Sequence, residues 1–142
     1  MIDNFKGEYM FLSNFFDHVI EWDGLKYPSS EHAYQAAKTL NRDTRKTVRD
    51  ARTPGQAKKM GKKVDLRKDW EKVKDNVMLE ILRAKFSNEV LKRKLLDTGD
   101  QILVEGNWWG DRYWGMVKND KGEWVGENKL GKTLMIIREE LR

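Results

Sequence analysis

The stretch that most constrains this chain is residues 27–38, which read Tyr-Pro-Ser-Ser-Glu-His-Ala-Tyr-Gln-Ala-Ala-Lys. A proline and two serines favour a helix start, because a serine hydroxyl can accept from a free N–H of the first turn. Residues three, four and seven positions apart share one helix face. The polar residues with that spacing are Glu31, Tyr34, Gln35 and Lys38. An acid, a phenol, an amide and an amine together predict a small-ligand site, and the alternative is a solvated surface pair of Glu31 and Lys38.

Secondary-structure signals continue on both sides of this stretch. Two short apolar runs around Asp23-Gly24 predict a hairpin over residues 19–27, since that pair tolerates the positive φ of a tight turn. Ser29 or Ser30 caps the first helix, Thr53-Pro54 begins another, and Asp65 caps the longest one, which is apolar at helical spacing as far as Phe86.

The last third of the chain mixes helices with short strands. A helix over 88–96 ends at Gly99, and residues 101–105 read as a strand. Residues 119–122 suggest a turn, and a final amphipathic helix runs over 128–141, with Asn128 as a cap or a ligand-facing amide. The pattern predicts a mostly helical α+β fold, a single domain spanning 1–142, with a short N-terminal hairpin and short strands in the C-terminal third.

Composition restricts the class of protein. The 142 residues suit one domain, and six Trp, four Tyr and five Phe argue against disorder. The chain has no cysteine, no apolar run long enough for a membrane span and no exported leader, so we expect a cytoplasmic protein without disulfides. The net charge of +5 suits phosphate-bearing partners, although most lysine clusters are also typical of solvated helix faces.

A second candidate site is the loop 106–115, Gly-Asn-Trp-Trp-Gly-Asp-Arg-Tyr-Trp-Gly. Its glycines prevent a regular element, and loops lie mostly at the surface, so some of these rings should line a cleft and stack on a planar heterocycle. Asp111 beside them is either a base or cation stabiliser, or the start of an Asx-turn. Trp70 is either a ligand contact or plain core.

Several classes of site are excluded or disfavoured. His18 and His32 lie far apart with no further ligand at metal spacing. Nucleotide-binding glycine loops and nucleophile elbows are absent from the sequence. We therefore expect no metal and no cofactor. What remains is a pair of carboxylates, Glu31 and Asp111, with Lys38 and several tryptophans. The competing interpretation is a non-catalytic module that binds nucleotides or nucleic acid.

These residues resemble the NADAR superfamily of YbiA-like proteins along essentially the whole chain. The matching blocks, in the family's order, are 11–15, 27–38, 53–61, Trp70 with Met78 and 85–86, 95–99, 103–105, 111–115 and 126–135. The resemblance implies an N-glycosidase that cleaves a ribose–amine bond. Its implied substrates are phosphorylated ribosylamino-pyrimidines of riboflavin synthesis or ADP-ribose on guanine, the latter making ADP-ribosylated nucleic acid an expected partner.

The resemblance also implies a set of site residues. Glu31, Trp70 and Asp111 match the catalytic positions, and Lys38 matches a motif lysine. The candidate substrate-binding residues are Phe11, Asn14, Tyr34, Gln35, Glu105, Trp114 and Asn128. One departure is that Gly106-Asn107-Trp108-Trp109 replaces the family's small residues after Glu105, which predicts a shifted substrate preference.

Overall fold

The computed structural model describes residues 1–142 as seven helices and two small antiparallel sheets, which confirms the predicted α+β class. The elements in chain order are a 3₁₀ helix Gly7–Leu12, β1 Ile20–Trp22, β2 Leu25–Tyr27, α1 Ser30–Ala37, α2 Arg42–Arg49, α3 Pro54–Gly61, α4 Trp70–Lys85, α5 Glu89–Leu96, β3 Val117–Lys118, β4 Trp124–Val125 and α6 Lys129–Glu140. They form two compact units, the middle unit (14–87) and the terminal unit (1–13 with 88–142). The single domain over 1–142 stays a prediction.

The middle unit begins with the predicted hairpin. β1 and β2 pair antiparallel, Ile20 opposite Tyr27. Asp23 and Gly24 have φ of 48° and 81°, the left-handed values that the turn requires. The guanidinium of the buried Arg45 lies 2.5 Å from the Asp23 carboxylate and 4.9 Å from the centroid of the Trp22 ring, which ties α2 to the hairpin.

Helix α1 is the centre of the middle unit. The Ser29 hydroxyl accepts from the N–H of His32, as an N-cap should, and all eight residues of α1 are buried. The helix packs against α2, α3 and α4. His32 has a structural role: its Nε2 donates to the Ala51 carbonyl at 2.9 Å, so Nδ1 accepts from Ser29 at 2.7 Å.

One helical prediction in the middle unit is wrong, and one helix has no sequence signal. The longest helix begins at Trp70 and not at Asp65, because residues 65–69 cover the end of α1 instead. There the Arg67 N–H donates to the Lys38 carbonyl at 2.7 Å, and the Arg67 guanidinium pairs with Asp69. The sequence does not predict helix α2. Only Arg45 and Val48 of its eight residues are buried, so the helix has too few apolar residues to show a helical repeat of apolar positions.

The terminal unit contains fewer regular elements than its sequence predicts. The predicted strand over 101–105 is wrong: Leu103 forms only an isolated parallel bridge with Ile2. The short C-terminal strands are confirmed as β3 and β4, with Val117 opposite Val125. Asn128 adopts φ 52° before α6 and makes no side-chain cap hydrogen bond, so the predicted cap is absent. No helix in either unit has the length and apolarity needed to cross a bilayer.

Lys85 is the most unusual member of the middle unit's core. It is 1% exposed, and its Nζ lies 5.6 Å and 5.3 Å from the ring centroids of Phe16 and Phe86. Burial lowers its pKa from 10.5 to about 7. The unfolded chain keeps this proton up to pH 10.5, so folding releases it across the interval between the two values.

We therefore expect the wild-type protein to gain stability relative to K85M as the pH rises from 7 towards 10. The gain is up to roughly 1 kcal/mol per pH unit, because the unfolded state binds one proton more than the folded state. Urea denaturation at several pH values measures it. The variant K63M removes an exposed lysine and should parallel the wild type. If the free energy of unfolding varied with pH in the same way for K85M and wild type, the buried amine would have kept its proton.

Candidate active site

Glu31 places a carboxylate inside the middle unit. It lies in the first turn of α1, where the helix dipole favours a negative charge, and its N–H donates to the Asn14 carbonyl at 3.0 Å. The residue is only 7% exposed, and its Oε2 accepts a hydrogen bond of 2.6 Å from Nε2 of Gln35. Glu31 is therefore not a solvated surface residue, and the interpretation of Glu31 and Lys38 as a surface pair is wrong.

Gln35 is held in place by the close approach of α3 to α1. Its Oε1 is buried without a hydrogen-bond partner and lies against Gly61, where an added Cβ would collide with the amide. The amide therefore fits only because residue 61 has no side chain. This contact leaves Nε2 aimed at Glu31, so Gly61 orients the carboxylate through Gln35.

Tyr34, Trp70 and Lys38 form a second contact group beside Glu31. The ring centroids of Tyr34 and Trp70 lie 5.3 Å apart at an interplanar angle of 55°, and Nζ of Lys38 lies 5.6 Å from the centroid of Tyr34. Trp70 is 4% exposed, which fits its core interpretation. It reaches Tyr34 because residues 65–69 attach to the end of α1, as Arg67 does at Lys38.

Lys38 is half-buried and electrostatically perturbed. Burial lowers its pKa, the charge of Glu31 acts in the opposite direction, and Lys58, Lys62 and Lys74 lower it further. Lys58 belongs to α3, Lys62 directly follows that helix and Lys74 belongs to α4, and both helices pack on α1. The middle unit thus places three further ammonium groups within electrostatic reach of Lys38, which itself interacts with the buried Glu31 carboxylate.

Asn14 has its side chain engaged within the protein. Its Oδ1 accepts from the Ser30 hydroxyl at 2.9 Å, and its Nδ2 lies 3.7 Å from the sulfur of Met78. Asn14 therefore holds the start of α1, which carries Glu31, and its predicted contact with substrate stays a prediction.

Asp111 lies in the terminal unit and forms the Asx-turn that the sequence allowed. Its Oδ1 accepts from the N–H groups of Tyr113 at 3.0 Å and Trp114 at 2.9 Å. These bonds fix one carboxylate oxygen and leave Oδ2 without a hydrogen bond inside the protein. Trp114 is half-buried and packs edge-on against Tyr113, with ring centroids 5.0 Å apart.

Asn107 is a residue that the sequence analysis missed. It is 7% exposed and donates from Nδ2 to Oε2 of Glu105 at 3.0 Å and to the carbonyl of Asp111 at 2.9 Å, while its Oδ1 accepts from the Asp111 N–H. One amide thus links both predicted acids of the terminal unit. The only sequence signal was an asparagine inside a glycine- and tryptophan-rich loop.

Asn128 and Phe11 also lie in the terminal unit. The Asn128 amide accepts from the Glu105 N–H at 3.0 Å and donates to the Leu103 carbonyl at 2.9 Å, so both of its polar atoms bind backbone. Phe11 is 4% exposed, with Nζ of Lys94 lying 5.7 Å from the centroid of its ring. Their substrate contacts stay predictions.

Comparison with known proteins identifies the family. The NADAR domain model matches residues 3–142. N-glycosidase YbiA of Escherichia coli strain K12 is 42% identical over 137 residues, covering 94% of this chain and 82% of that protein. N-glycosidase Npun_R5314 of Nostoc punctiforme is 38% identical, covering 92% and 84%. The riboflavin biosynthesis protein VVA0006 of Vibrio vulnificus is 38% identical, covering 93% of this chain but 35% of that protein.

A solved structure agrees with this result. The NMR structure of E. coli YbiA aligns with a TM-score of 0.81 at 40% identity, covering 99% of this chain and 84% of that one. The chain belongs to the NADAR domain family. It is an enzyme of the N-glycosidase type, a hydrolase of N-glycosyl bonds, as its relatives at 38% and 42% identity are.

The Gly61–Gln35 contact yields a test by paired glycine substitutions in α3. G61A forces the Gln35 amide away, and we expect overpacking of this kind to cost about 1–3 kcal/mol of stability and to lower activity with it. G55A is the matched control, since an added Cβ there meets its nearest atom, Oγ1 of Thr53, at an ordinary 3.8 Å. Thermal denaturation measures both variants. Equal melting temperatures would contradict the positioning role of Gly61.

Proposed function

We propose that this N-glycosidase hydrolyses the ribose–nitrogen bond of a phosphorylated N-ribosyl compound, with a ribosylamino-pyrimidine phosphate of riboflavin synthesis as the first candidate. The observation that carries the proposal is the buried Glu31 carboxylate beside a half-buried lysine and further lysines. A Vibrio vulnificus relative named as a riboflavin biosynthesis protein supports this substrate class. ADP-ribosyl-guanine, including ADP-ribosylated nucleic acid, is the second candidate substrate.

Glu31 is proposed as a catalytic carboxylate. Cleavage of an N-ribosyl bond passes through an oxocarbenium-like sugar, whose positive charge a nearby carboxylate stabilises or whose attacking water it orients. A carboxylate with little water around it acts more strongly on such a charge than a solvated one. The Gln35 hydrogen bond of 2.6 Å fixes the Glu31 oxygen in one direction.

Lys38 is proposed as the group that protonates the departing nitrogen. Its lowered pKa brings the ammonium closer to the range in which proton transfer is efficient. The alternative is that the neutral amine attacks C1 of the ring-opened substrate and expels the departing amine, which forms a lysine imine. Water then hydrolyses that imine, releases the sugar and restores the free lysine. Burial favours both routes, because it favours the uncharged amine.

Three lysines in or next to α3 and α4 support an anionic substrate. The ammonium groups of Lys58, Lys62 and Lys74 are close enough to Lys38 to act on its pKa. Lys74 is partly neutralised by Glu71, whose carboxylate lies 2.7 Å away. The remaining positive charge suits a phosphate ester, which would offset the mutual repulsion of these lysines.

Asp111 of the terminal unit is proposed as a catalytic residue, and Trp114 of the same unit is proposed as a substrate-binding residue. The Asx-turn fixes Oδ1 of Asp111 and leaves Oδ2 for a sugar hydroxyl, a water or the cationic transition state. Trp114 offers a half-buried indole for the heterocycle. Separate variants of Glu31 and Asp111 test the two acids one at a time.

We expect E31Q and D111N each to lower kcat at least about 10²-fold, the usual scale for lost acid–base assistance. E31Q keeps an oxygen for the Gln35 hydrogen bond, and D111N keeps an oxygen for the two N–H groups, so each removes charge with little change of shape. The measurement is mass spectrometry of released sugar phosphate from ribosylamino-pyrimidine phosphate and from ADP-ribosyl-guanosine.

The control variant is E21Q, which neutralises an exposed glutamate of β1 and should keep wild-type turnover. Circular dichroism confirms that each variant folds. Near-normal turnover in E31Q would rule out its catalytic role. Binding of both compounds by the wild-type protein without release of sugar phosphate would favour the non-catalytic alternative.

Lys38 gives a pH prediction. As a proton donor it works only while protonated, so kcat/KM should fall as the pH rises through its pKa, below the ordinary 10.5. K38R keeps the charge and should move this alkaline limb to higher pH. Borohydride added during turnover tests the imine route. If borohydride traps an adduct on the wild-type protein but not on K38R, Lys38 acts as a covalent catalyst and the proton-donor role is wrong.

A further inference from the structure

A cleft of about 710 Å³ opens within the terminal unit, and none of the predicted catalytic or substrate-binding residues lines it. Its volume is in the range of ligand pockets. The side chains that define its chemistry are Lys6, Trp108, Trp109, Arg112, Lys118 and Trp124. Three indoles and three cations in one cleft are a combination that the N-glycosidase chemistry leaves unexplained.

Two of the indoles are unusually exposed. Trp108 is 83% exposed and Trp109 is 48% exposed, although tryptophan normally buries a large area. Their ring centroids lie 5.8 Å apart at an interplanar angle of 84°, so the two rings present faces in different directions. Exposed aromatic surface of this extent marks an interaction site.

The third indole forms a fixed wall of the cleft. Nε1 of Trp124 donates to Oδ2 of Asp3 at 3.2 Å, and Nζ of Lys118 lies 5.1 Å from the centroid of the Trp124 ring. A Cβ on Gly106 would collide with the Asp3 carbonyl and the Trp124 ring. The wall is therefore built by close packing.

The charge of the cleft selects an anionic partner. Lys6, Arg112 and Lys118 are all exposed, and the one acid in the lining, Asp3, accepts the Trp124 hydrogen bond. A protein partner that covered two tryptophans would also have to desolvate these cations. Phosphates offset the same cations while planar bases cover the indoles.

We propose that this cleft binds single-stranded nucleic acid, with bases stacked on Trp108 and Trp109 and phosphates against Lys6, Arg112 and Lys118. A single strand fits better than a duplex, because only unpaired bases offer their faces to the indoles. The cations come from three separate segments of the unit, which suits a chain of phosphates more than one phosphate. The inference concerns unmodified strands bound away from the predicted catalytic residues, so it goes beyond the proposed function and depends on neither of its candidate substrates.

Fluorescence anisotropy of labelled oligothymidylate and oligouridylate tests the proposal. The double variant W108A/W109A should bind at least about tenfold more weakly than wild type, since each stacked base contributes on that scale. I136A removes another exposed apolar side chain of the terminal unit, outside the cleft, and should bind like wild type. Circular dichroism and the melting temperature check that the double variant folds.

The salt dependence tests the cations. Three phosphate contacts predict a slope of log K against log salt near −2, at about −0.7 per contact for single strands. K6Q/K118Q should flatten that slope, whereas K121Q/K132Q, with the same charge change outside the cleft, should leave it unchanged. The proposal would be overturned if neither oligonucleotide bound or if W108A/W109A kept wild-type affinity. Full competition by thymidine monophosphate would also overturn it, because the cleft would then bind a single nucleotide and not a strand. Self-association of the wild-type protein that is lost in W108A/W109A would overturn it by making the cleft an interface between copies of the chain.

Discussion

Glu31 is a carboxylate of which only 7% is exposed, and the middle unit is arranged around the cost of keeping it there. An unpaired buried charge is expensive, so it must be compensated locally. The first turn of α1 supplies the helix dipole, and Gln35 supplies a hydrogen bond of 2.6 Å. Gln35 in turn depends on Gly61, because only a residue without a side chain leaves room for its amide. The carboxylate is therefore held by contacts that are themselves sterically determined.

The same burial explains why the neighbours of Glu31 are unusual. Eight consecutive buried residues in α1 leave its carboxyl end to be covered by another segment, and residues 65–69 do this through Arg67. Because of that connection, α4 begins only at Trp70. The centroid of the Trp70 ring then lies 5.3 Å from the centroid of the Tyr34 ring. Lys38, at the end of α1, is half-buried as a result, and burial lowers its pKa. The position of the lysine and the perturbation of its pKa have one cause.

Local rules were sufficient where a single side chain determines the backbone. The Asp23-Gly24 turn, the caps at Ser29 and Thr53 and the left-handed Gly99 follow from such rules. They failed where tertiary contacts decide: Asp65 lost its cap role to the Arg67 connection, and residues 101–105 found only one bridge partner. The spacing of Glu31, Gln35 and Lys38 indicated a site. It gave no sign of Gly61, Asn107 or Lys85, whose roles depend on elements distant in sequence.

In the terminal unit, asparagine side chains form hydrogen bonds with backbone groups that would pair between strands in a sheet. Asn107 binds Glu105 and Asp111, Asn119 accepts from the N–H groups of Lys121 and Glu123, and Asn128 binds Leu103 and the Glu105 N–H. When asparagine side chains hold the backbone at two positions, the residues between those positions need not pack into the core to keep the loop in place. Trp108 and Trp109 lie between two such points, Asn107 and Asp111. Their indoles can therefore stay exposed without loosening the loop, and that exposure leaves them free to contact a partner.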